Sequence, residues 1–383
     1  MKCVRCGIDN NLRERIRERG RCKYCDHPFV FDPKAGSKFT DTFFYNSLKA
    51  ISFSSENTLF FTPKQLWYFI EKRLISKKID FNTLIIPIIL VYFVIIWNFL
   101  NTITLLTFGT GLGIFLIYLS RRQLKAIRKR PKSFKFTEYK IILCLRRWEE
   151  VNGKITNVLP SRKTSEPTEI NSEITAYSFD RVIVCDTAKI AQFLIANNFH
   201  FEHNCAVLSI DGYPQNIFTT VMEMLRQNPD LKIYAFHDAS PHGVSVINQL
   251  RTNPNWFMGN NLSIYDLGLL PRHVFASKNM WILKSDESAR QAQRISVNVK
   301  ETLSTDEIAW LEEGFYVELE SFSPRKLLQV ASQGMAKTQA IANGYSSGSD
   351  SSLDSPDSGD IVINFDDNSS SQNIVFFASD SFG

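Results

Sequence analysis

Four cysteines near the start of the chain have a spacing that suits a metal ion. Cys3 and Cys6 form one C-x-x-C pair, Cys22 and Cys25 form another, and fifteen residues separate the pairs. Each pair directs two thiolates at one point, and two pairs complete a tetrahedral Zn²⁺ shell with no open position. A closed shell has no place for a substrate. We therefore predict a structural zinc ion that supplies most of the folding energy of residues 1–36.

A second group of candidate residues follows short apolar runs further along the chain. Acidic residues lie at the carboxyl ends of three such runs, at Asp186, Asp211 and, after His237, at Asp238. The other candidates in the loops DGYP and HDASPHG are Gly212, Pro214, His237, Ser240, Pro241, His242 and Gly243. Carboxylate oxygens are the ligands that Mg²⁺ prefers. The pattern predicts either a working metal site or a site that has lost a ligand.

The elements that would position these loops alternate regularly. RVIVC, CAVLSI and KIYAF are typical of buried strands, and each is followed by a segment with helical spacing of apolar residues. Such alternation predicts parallel strands with right-handed crossovers. Because the carboxyl ends of parallel strands share one edge of a sheet, we expect the three aspartates to meet there.

The same segments resemble a known family. RVIVCDTAKIAQFL, VLSIDGYPQNIFTTVMEML and IYAFHDASPHGVSVINQL look like the Toprim domain of the DNA-cleaving subunit of topoisomerase VI and its meiotic relatives. The resemblance covers about residues 180–330 and implies an α/β fold, a Toprim-like parallel sheet with flanking helices. In that family the first strand ends in a catalytic Glu and the third in Asp-x-Asp-Pro-x-Gly. If this chain is active, the resemblance implies that Asp186 and Asp238 are catalytic.

Two departures from the family pattern weaken the expected metal site. Asp186 stands where the family has Glu, and Ser240 replaces the second Asp of the third loop. Replacing a carboxylate by a hydroxyl removes a unit charge from a site for a hard ion, so bound Mg²⁺ or Mn²⁺ is doubtful. The family also uses a tyrosine nucleophile on a preceding winged-helix domain. Tyr139 and Tyr177 are not in a helix-turn-helix pattern.

Two uncharged stretches precede this region. Residues 83–100 and 101–120 are each long enough to span a bilayer, and basic residues flank the pair. They predict a two-helix transmembrane hairpin at 81–120 in an integral membrane protein of the inner or plasma membrane, with both termini cytoplasmic. A buried hairpin in a soluble fold is the alternative.

Composition divides the rest of the chain. All 44 Lys and Arg residues precede residue 344, whereas seven of the 39 acidic residues follow it, so residues 1–343 carry a net charge of +12. This charge is compatible with nucleic acid or with positions that flank a membrane segment. The predicted units are a zinc ribbon at 1–36, an amphipathic linker at 37–80, the hairpin at 81–120, a basic linker with short strands at 121–178, the Toprim-like domain at 179–335 and a disordered Ser/Asp-rich tail at 336–383.

Two functions are compatible with the sequence. The favoured one is a membrane-anchored, non-catalytic Toprim-like protein that binds nucleic acid or a protein partner, partly through the zinc ribbon, a module that commonly makes such contacts. The alternative is a metal-dependent nuclease or phosphotransfer enzyme that uses Asp186 and Asp238. The sequence contains no P-loop and no H-E-x-x-H motif.

Overall fold

The computed structural model describes residues 1–53, 58–75, 131, 134–160, 179–228, 231–258, 262–277 and 280–344. The helices are α1 (Leu12–Arg17), α2 (Asp41–Ser52), α3 (Pro63–Ile75), α4 (Glu138–Asn152), α5 (Ala188–Ala196), α6 (Phe199–Glu202), α7 (Gln215–Gln227), α8 (Val246–Thr252), α9 (Pro271–Ala276), α10 (Asp286–Gln293), α11 (Val297–Glu301), α12 (Thr305–Glu312) and α13 (Pro324–Gly344). The strands are β1 (Arg181–Cys185), β2 (Cys205–Ser209), β3 (Lys232–Phe236), β4 (Ile264–Asp266), β5 (Leu283–Lys284) and β6 (Phe315–Tyr316).

A parallel sheet lies at the centre of the C-terminal half, in the strand order β2-β1-β3-β4. The three strands predicted from the sequence are present, and β4 adds a fourth. Cys185, the last residue of β1, pairs with Ser209 on β2 and with Phe236 on β3. The predicted strands therefore end in register, and the loops that follow them leave the sheet at the same edge.

Both faces of the sheet are covered by helices. Side chains alternate between the faces, so Ile183 and Cys185 lie in one apolar cluster while Val182 and Val184 lie in the other. The first cluster includes side chains of α5, α12 and α13, and the second those of α7 and α8. Continuous apolar strands such as RVIVC follow from this arrangement, because each residue is buried on one side or the other.

A third cluster, rich in aromatic residues, joins the N-terminal helices. Side chains of α2, α3 and α4 pack together around Phe44, which is fully buried, and Trp148, which is 4% exposed. Residues 138–152 therefore form a helix, where short strands were expected from the sequence. The reason is the helical spacing of the buried residues Ile141, Leu145 and Trp148, which places them on one face.

The membrane prediction requires correction. The segment predicted as a hairpin, residues 81–120, lies outside the described residues, and within the described ranges no helix is long and apolar enough to cross a membrane. The longest described helix, α13, carries Arg325, Lys326 and Lys337 and packs one side on the sheet, as expected of an amphipathic helix. The prediction of an integral membrane protein is thus wrong on this finding, and no membrane role is proposed below.

The C-terminal boundary also differs from the expected one. Residues 336–344, which the composition assigned to the tail, continue α13 without a break. Thr338 on this turn donates its hydroxyl to the Tyr234 hydroxyl of β3 at 3.1 Å, so the helix end is tied to the sheet. The remainder of the predicted tail, residues 345–383, lies outside the described residues.

Candidate functional site

The four N-terminal cysteines converge as their spacing predicts. Their Sγ atoms all lie within 4.8 Å of one another, with 3.7 Å between Cys3 and Cys25 and 3.6 Å between Cys6 and Cys22. A tetrahedral ion with metal–sulfur bonds of about 2.3 Å requires sulfur atoms about 3.8 Å apart. Two of the sulfur pairs already have this spacing, and the cluster could therefore hold a metal ion.

The two cysteine pairs have the same local structure. The backbone N–H of Gly7 donates to the Cys3 carbonyl at 2.9 Å, and that of Asp26 donates to the Cys22 carbonyl at 3.0 Å. Both Gly7 (φ +76°) and Asp26 (φ +56°) adopt the left-handed conformation that closes such a turn. The turns expose backbone N–H groups toward the sulfur atoms, which favours thiolates.

The pKa values of the cysteines are also compatible with a metal cation bound by the cluster. The hydrogen bond with the Ile8 backbone lowers the pKa of Cys6, but burial and hydrogen bonds with the other cysteine side chains together outweigh it and raise this pKa to about 12. Against the effect of burial, backbone N–H groups and the Asn10 amide lower the pKa of Cys22 to about 6. Four adjacent sulfurs cannot all be anionic without a counter-ion, so full deprotonation is expected only with a metal bound.

A second site lies where β1 and β3 end. The Asp186 Oδ2 atom accepts a hydrogen bond from the Asp238 backbone N–H at 2.8 Å, and Asp238 Oδ1 accepts one from the Leu319 N–H at 2.5 Å. Both aspartates are largely enclosed by protein. Burial raises the pKa of Asp186; burial, and after it the Asp186 charge, raises the pKa of Asp238 well above its usual range. The backbone N–H donors lower both pKa values but do not offset these raising effects.

The loop after β3 is a tight turn without the second carboxylate. The Ser240 hydroxyl oxygen accepts a hydrogen bond from the Gly243 N–H at 3.0 Å, and His242 Nε2 lies 3.2 Å from the Asp186 carbonyl oxygen. A Cβ at position 243 would lie 2.1 Å from the Asp238 carbonyl oxygen. Glycine is required there because the turn brings two backbone segments into contact.

His237 forms a buried ion pair that was not predicted from the sequence. Its Nε2 lies 3.0 Å from Asp266 Oδ1, and its Nδ1 lies 2.9 Å from the Asp238 carbonyl oxygen. Both ring nitrogens face acceptors, an arrangement that only the protonated imidazolium satisfies. Burial lowers the pKa of His237, but the Asp266 carboxylate more than offsets this and the net direction is upward.

A basic side chain from α3 reaches the same edge of the sheet. Lys64 Nζ lies 2.7 Å from Glu318 Oε1, and the Tyr68 hydroxyl donates to Glu318 Oε2 at 2.8 Å. The Thr62 hydroxyl donates to Glu320 Oε1 at 2.6 Å. Burial opposes the charge on the ammonium, but the two glutamates raise the pKa of Lys64. The N-terminal helix therefore brings a permanent cation next to the acidic loop.

The segment with these glutamates is joined to the loop after β3. The backbone N–H and C=O groups of Ala239 and Val317 exchange hydrogen bonds of 3.0 Å in both directions. The charge on Glu318 is among the causes that raise the pKa of Asp238. The two acidic loops thus act on each other electrostatically, and Lys64 offsets part of the negative charge of Glu318 and Glu320.

The predicted site residues separate into two groups. Asp186 and Asp238 meet, together with the turn formed by Ser240, Pro241 and Gly243. Asp211 does not join them in a hydrogen bond: it is exposed in the turn after β2, where the Gly212 N–H donates to the Ser209 carbonyl at 2.8 Å and Pro214 precedes α7.

Four further residues of this region were not predicted from the sequence: Lys64, Asp266, Glu318 and Glu320. Only Asp266 had a local signal, since it follows the short apolar run SIY in the strand β4.

Metal ligands are grouped at one place in the described part of the chain. Among those residues, only Cys3, Cys6, Cys22 and Cys25 bring three or more His, Cys, Asp or Glu ligand atoms close enough to share an ion. Asp186 Oδ1, in contrast, is buried and has no hydrogen-bond partner among the described residues. The sheet edge therefore offers a buried carboxylate oxygen without a partner but, among the described residues, no assembled ligand set.

Comparison with known proteins identifies the C-terminal half. No curated protein matches the chain. Residues 181–332 match the family model for the Toprim domain shared by Spo11 and the A subunit of topoisomerase 6, and the four-stranded parallel sheet with its flanking helices fits such a fold. The matched segment begins at β1 and ends within α13. This confirms the resemblance noted from the sequence: residues 181–332 are a Toprim domain of the type found in topoisomerase 6 and Spo11.

Proposed function

We propose that this protein is a DNA-binding Toprim protein whose acidic site is structural rather than catalytic. The observation that carries the proposal is the pairing of Lys64 with Glu318 across 2.7 Å at the sheet edge. The Lys64 ammonium group supplies positive charge at the sheet edge, where a divalent ion would otherwise supply it. The basic charge of residues 1–343 and the family match support DNA as the ligand.

The hydrogen bonds of the two aspartates support the same proposal. Asp186 Oδ2 and Asp238 Oδ1 each accept a backbone N–H, so half of their carboxylate oxygens hold loops together. Ser240 provides a neutral oxygen that already accepts a hydrogen bond within its turn. A hard ion such as Mg²⁺ requires near-octahedral anionic or water ligands, and this loop has one carboxylate fewer than the family pattern.

The cysteine cluster is assigned to zinc under this proposal. Four thiolates in a tetrahedral arrangement favour Zn²⁺ over hard ions, and the closed shell makes the ion structural. Residues 1–36 would then be a zinc ribbon that is held against the rest of the protein, as the 3.1 Å contact between His27 Nε2 and Asn152 Oδ1 indicates.

One observation favours a second function. The unpartnered Asp186 Oδ1 is a buried acceptor of the kind that a metal ion or its water would satisfy. A single ion between Asp186 and Asp238 could activate water for DNA hydrolysis. This alternative is a metal-dependent nuclease that uses these two carboxylates.

One experiment separates the two functions. The purified full-length chain is titrated with Mg²⁺ and Mn²⁺ by calorimetry and incubated with supercoiled plasmid, and DNA binding is measured in parallel. Under the proposal, the chain binds DNA in a salt-dependent way and does not cleave it. Its heat of metal binding shows no saturable component beyond that of an Asp186→Asn, Asp238→Asn double variant. Metal-dependent cleavage that this double variant loses would establish the nuclease instead.

A further inference from the structure

A groove of about 680 Å³ lies apart from the sheet edge, in the N-terminal half. Three parts of the chain form most of its walls, namely the cysteine-rich module, α2, and the end of α4 with the loop 153–157 that follows it, and Thr58 and Phe61 complete the lining. Its volume lies within the range of small-molecule sites, roughly 300–1,000 Å³. Neither the proposed function nor the family match uses this groove.

The charge of the groove has one sign. Arg5, Lys49 and Lys154 line it, one from each wall, and none of its lining residues is acidic. All three basic side chains are exposed, and within the described ranges none forms a salt bridge. Three unpaired cations around one concave surface create a positive potential that attracts an anion such as phosphate.

Aromatic side chains form the other part of the lining. The rings of Tyr45 and Trp148 are stacked with centroids 6.3 Å apart and an angle of 25° between their planes. Trp148 is buried, whereas Tyr45 is only partly covered and carries Lys49 Nζ at 4.5 Å from its ring centroid. Tyr45 thus lies against a buried indole, with the ammonium of an exposed lysine over its ring, and a base that stacks on Tyr45 would displace this lysine side chain.

We propose that this groove binds one or two unpaired nucleotides of single-stranded DNA. An aromatic surface that stacks a base, bordered by cations that contact the flanking phosphates, is the arrangement by which proteins hold single strands. A duplex presents no free base face to Tyr45, because its bases are already stacked on each other. Asn152 and Thr156, both exposed in the lining, are the polar side chains that base edges would meet. The choice of DNA rests on the proposed function; the position and the single-stranded form do not.

The test compares single-stranded and duplex probes on the full-length chain. Fluorescence anisotropy is measured with labelled oligothymidylate of fifteen nucleotides and with a fifteen-base-pair duplex, at several salt concentrations. Tyr45→Leu is expected to weaken oligothymidylate binding about tenfold through lost stacking. Lys49→Gln and Lys154→Gln are each expected to weaken it severalfold and to reduce the salt slope by about 0.7. Lys300→Gln, at a partly exposed lysine of the Toprim domain that pairs with Glu312, is the control and should change neither.

The outcomes distinguish this inference from the proposed function. If the wild-type chain binds neither probe, the proposed function fails and this inference fails with it. If it binds DNA but the groove variants behave like Lys300→Gln, only the inference fails. If the groove variants weaken the binding of both probes equally, the inference is also overturned, because the groove would then not select unpaired bases.

A competing occupant is distinguished by the same variants. The acidic segment 345–383 is opposite in charge to the groove. A synthetic peptide of that segment is therefore tested for binding to the wild type and to Tyr45→Leu. If the peptide binds only the wild type and saturating oligothymidylate does not displace it, the groove belongs to the peptide and the inference is overturned.

Unfolding temperatures show whether the three groove variants are folded. Values within about 2 °C of the wild type are expected, because the substitutions lie at the surface.

Discussion

Replacing Lys64 by methionine tests the central claim about the sheet edge. The side chains of Lys64 and Glu318 are 18% and 15% exposed, so the pair is largely shielded from water. At 2.7 Å and an effective dielectric constant of about 20, the attraction between unit charges is about 6 kcal/mol before desolvation is subtracted. Methionine keeps the length of the side chain and removes its charge, and it leaves Glu318 with the Tyr68 hydroxyl as its remaining side-chain donor.

The expected cost is about 3 kcal/mol of the free energy of unfolding, at the lower end for breaking a buried pair. Urea denaturation of the full-length chain at pH 7, followed by circular dichroism, measures it. Lys300→Met is the matched control, because the Lys300–Glu312 pair has side chains that are 31% and 41% exposed. That variant should lose less than about 1 kcal/mol.

Added Mg²⁺ then reports on the acidic loop itself. If Lys64 takes the place of an ion, the Lys64→Met variant acquires an unbalanced negative charge that a divalent cation can neutralise. With a dissociation constant of about 1 mM, 10 mM Mg²⁺ would restore about 1.4 kcal/mol to the variant. In the wild type, Mg²⁺ should raise the free energy of unfolding by no more than it does in Lys300→Met. The reasoning is refuted if Mg²⁺ stabilises the wild type as much as the variant, or if Lys64→Met costs no more than the control.

Three further predictions concern the other contacts described above. Cys22→Ser is expected to reduce bound zinc from one ion per chain to near zero by elemental analysis, and to expose residues 1–36 to limited proteolysis. Gly243→Ala should lower the free energy of unfolding in urea by about 1–3 kcal/mol, because its Cβ would lie 2.1 Å from the Asp238 carbonyl oxygen. The pKa of His237 is raised, so its contribution to stability is fully present below about pH 6.5 and is lost as pH rises through the folded value. The stability difference between the wild type and His237→Gln should accordingly shrink from pH 6 to pH 9, and a constant difference would contradict the assignment.

The parts of the fold that could be predicted depend on short stretches of sequence. Two C-x-x-C pairs fix the position of four sulfurs because each pair is closed by its own backbone turn. The strands β1, β2 and β3 were recognisable because both faces of the sheet are covered and their residues are almost all apolar. Their shared edge follows from parallel pairing alone, and this brought Asp186 and Asp238 together as expected.

The parts that could not be predicted depend on contacts between distant segments. Lys64 and Glu318 are 254 residues apart, and neither lies in a motif. The strand β4 has only three residues, too short for a pattern of alternation, so its terminal Asp266 was not recognised as the partner of His237. Helix α4 was missed because its mixed basic and apolar residues are also typical of a linker, and only its packing partners α2 and α3 show which face is buried.

Ser240 shows how a loop can keep the shape of a metal site after losing its charge. A carboxylate at this position could accept the Gly243 N–H as the hydroxyl does at 3.0 Å, so the turn itself does not require an aspartate. The contact between Gly243 and the Asp238 carbonyl depends on the glycine alone. Geometry and charge are therefore separable here, because backbone packing preserves the loop whatever its charge. Under the proposed function Lys64 supplies the balancing cation, and a covalently attached ammonium would hold the two halves of the protein together without the exchange of ions that a metal site permits.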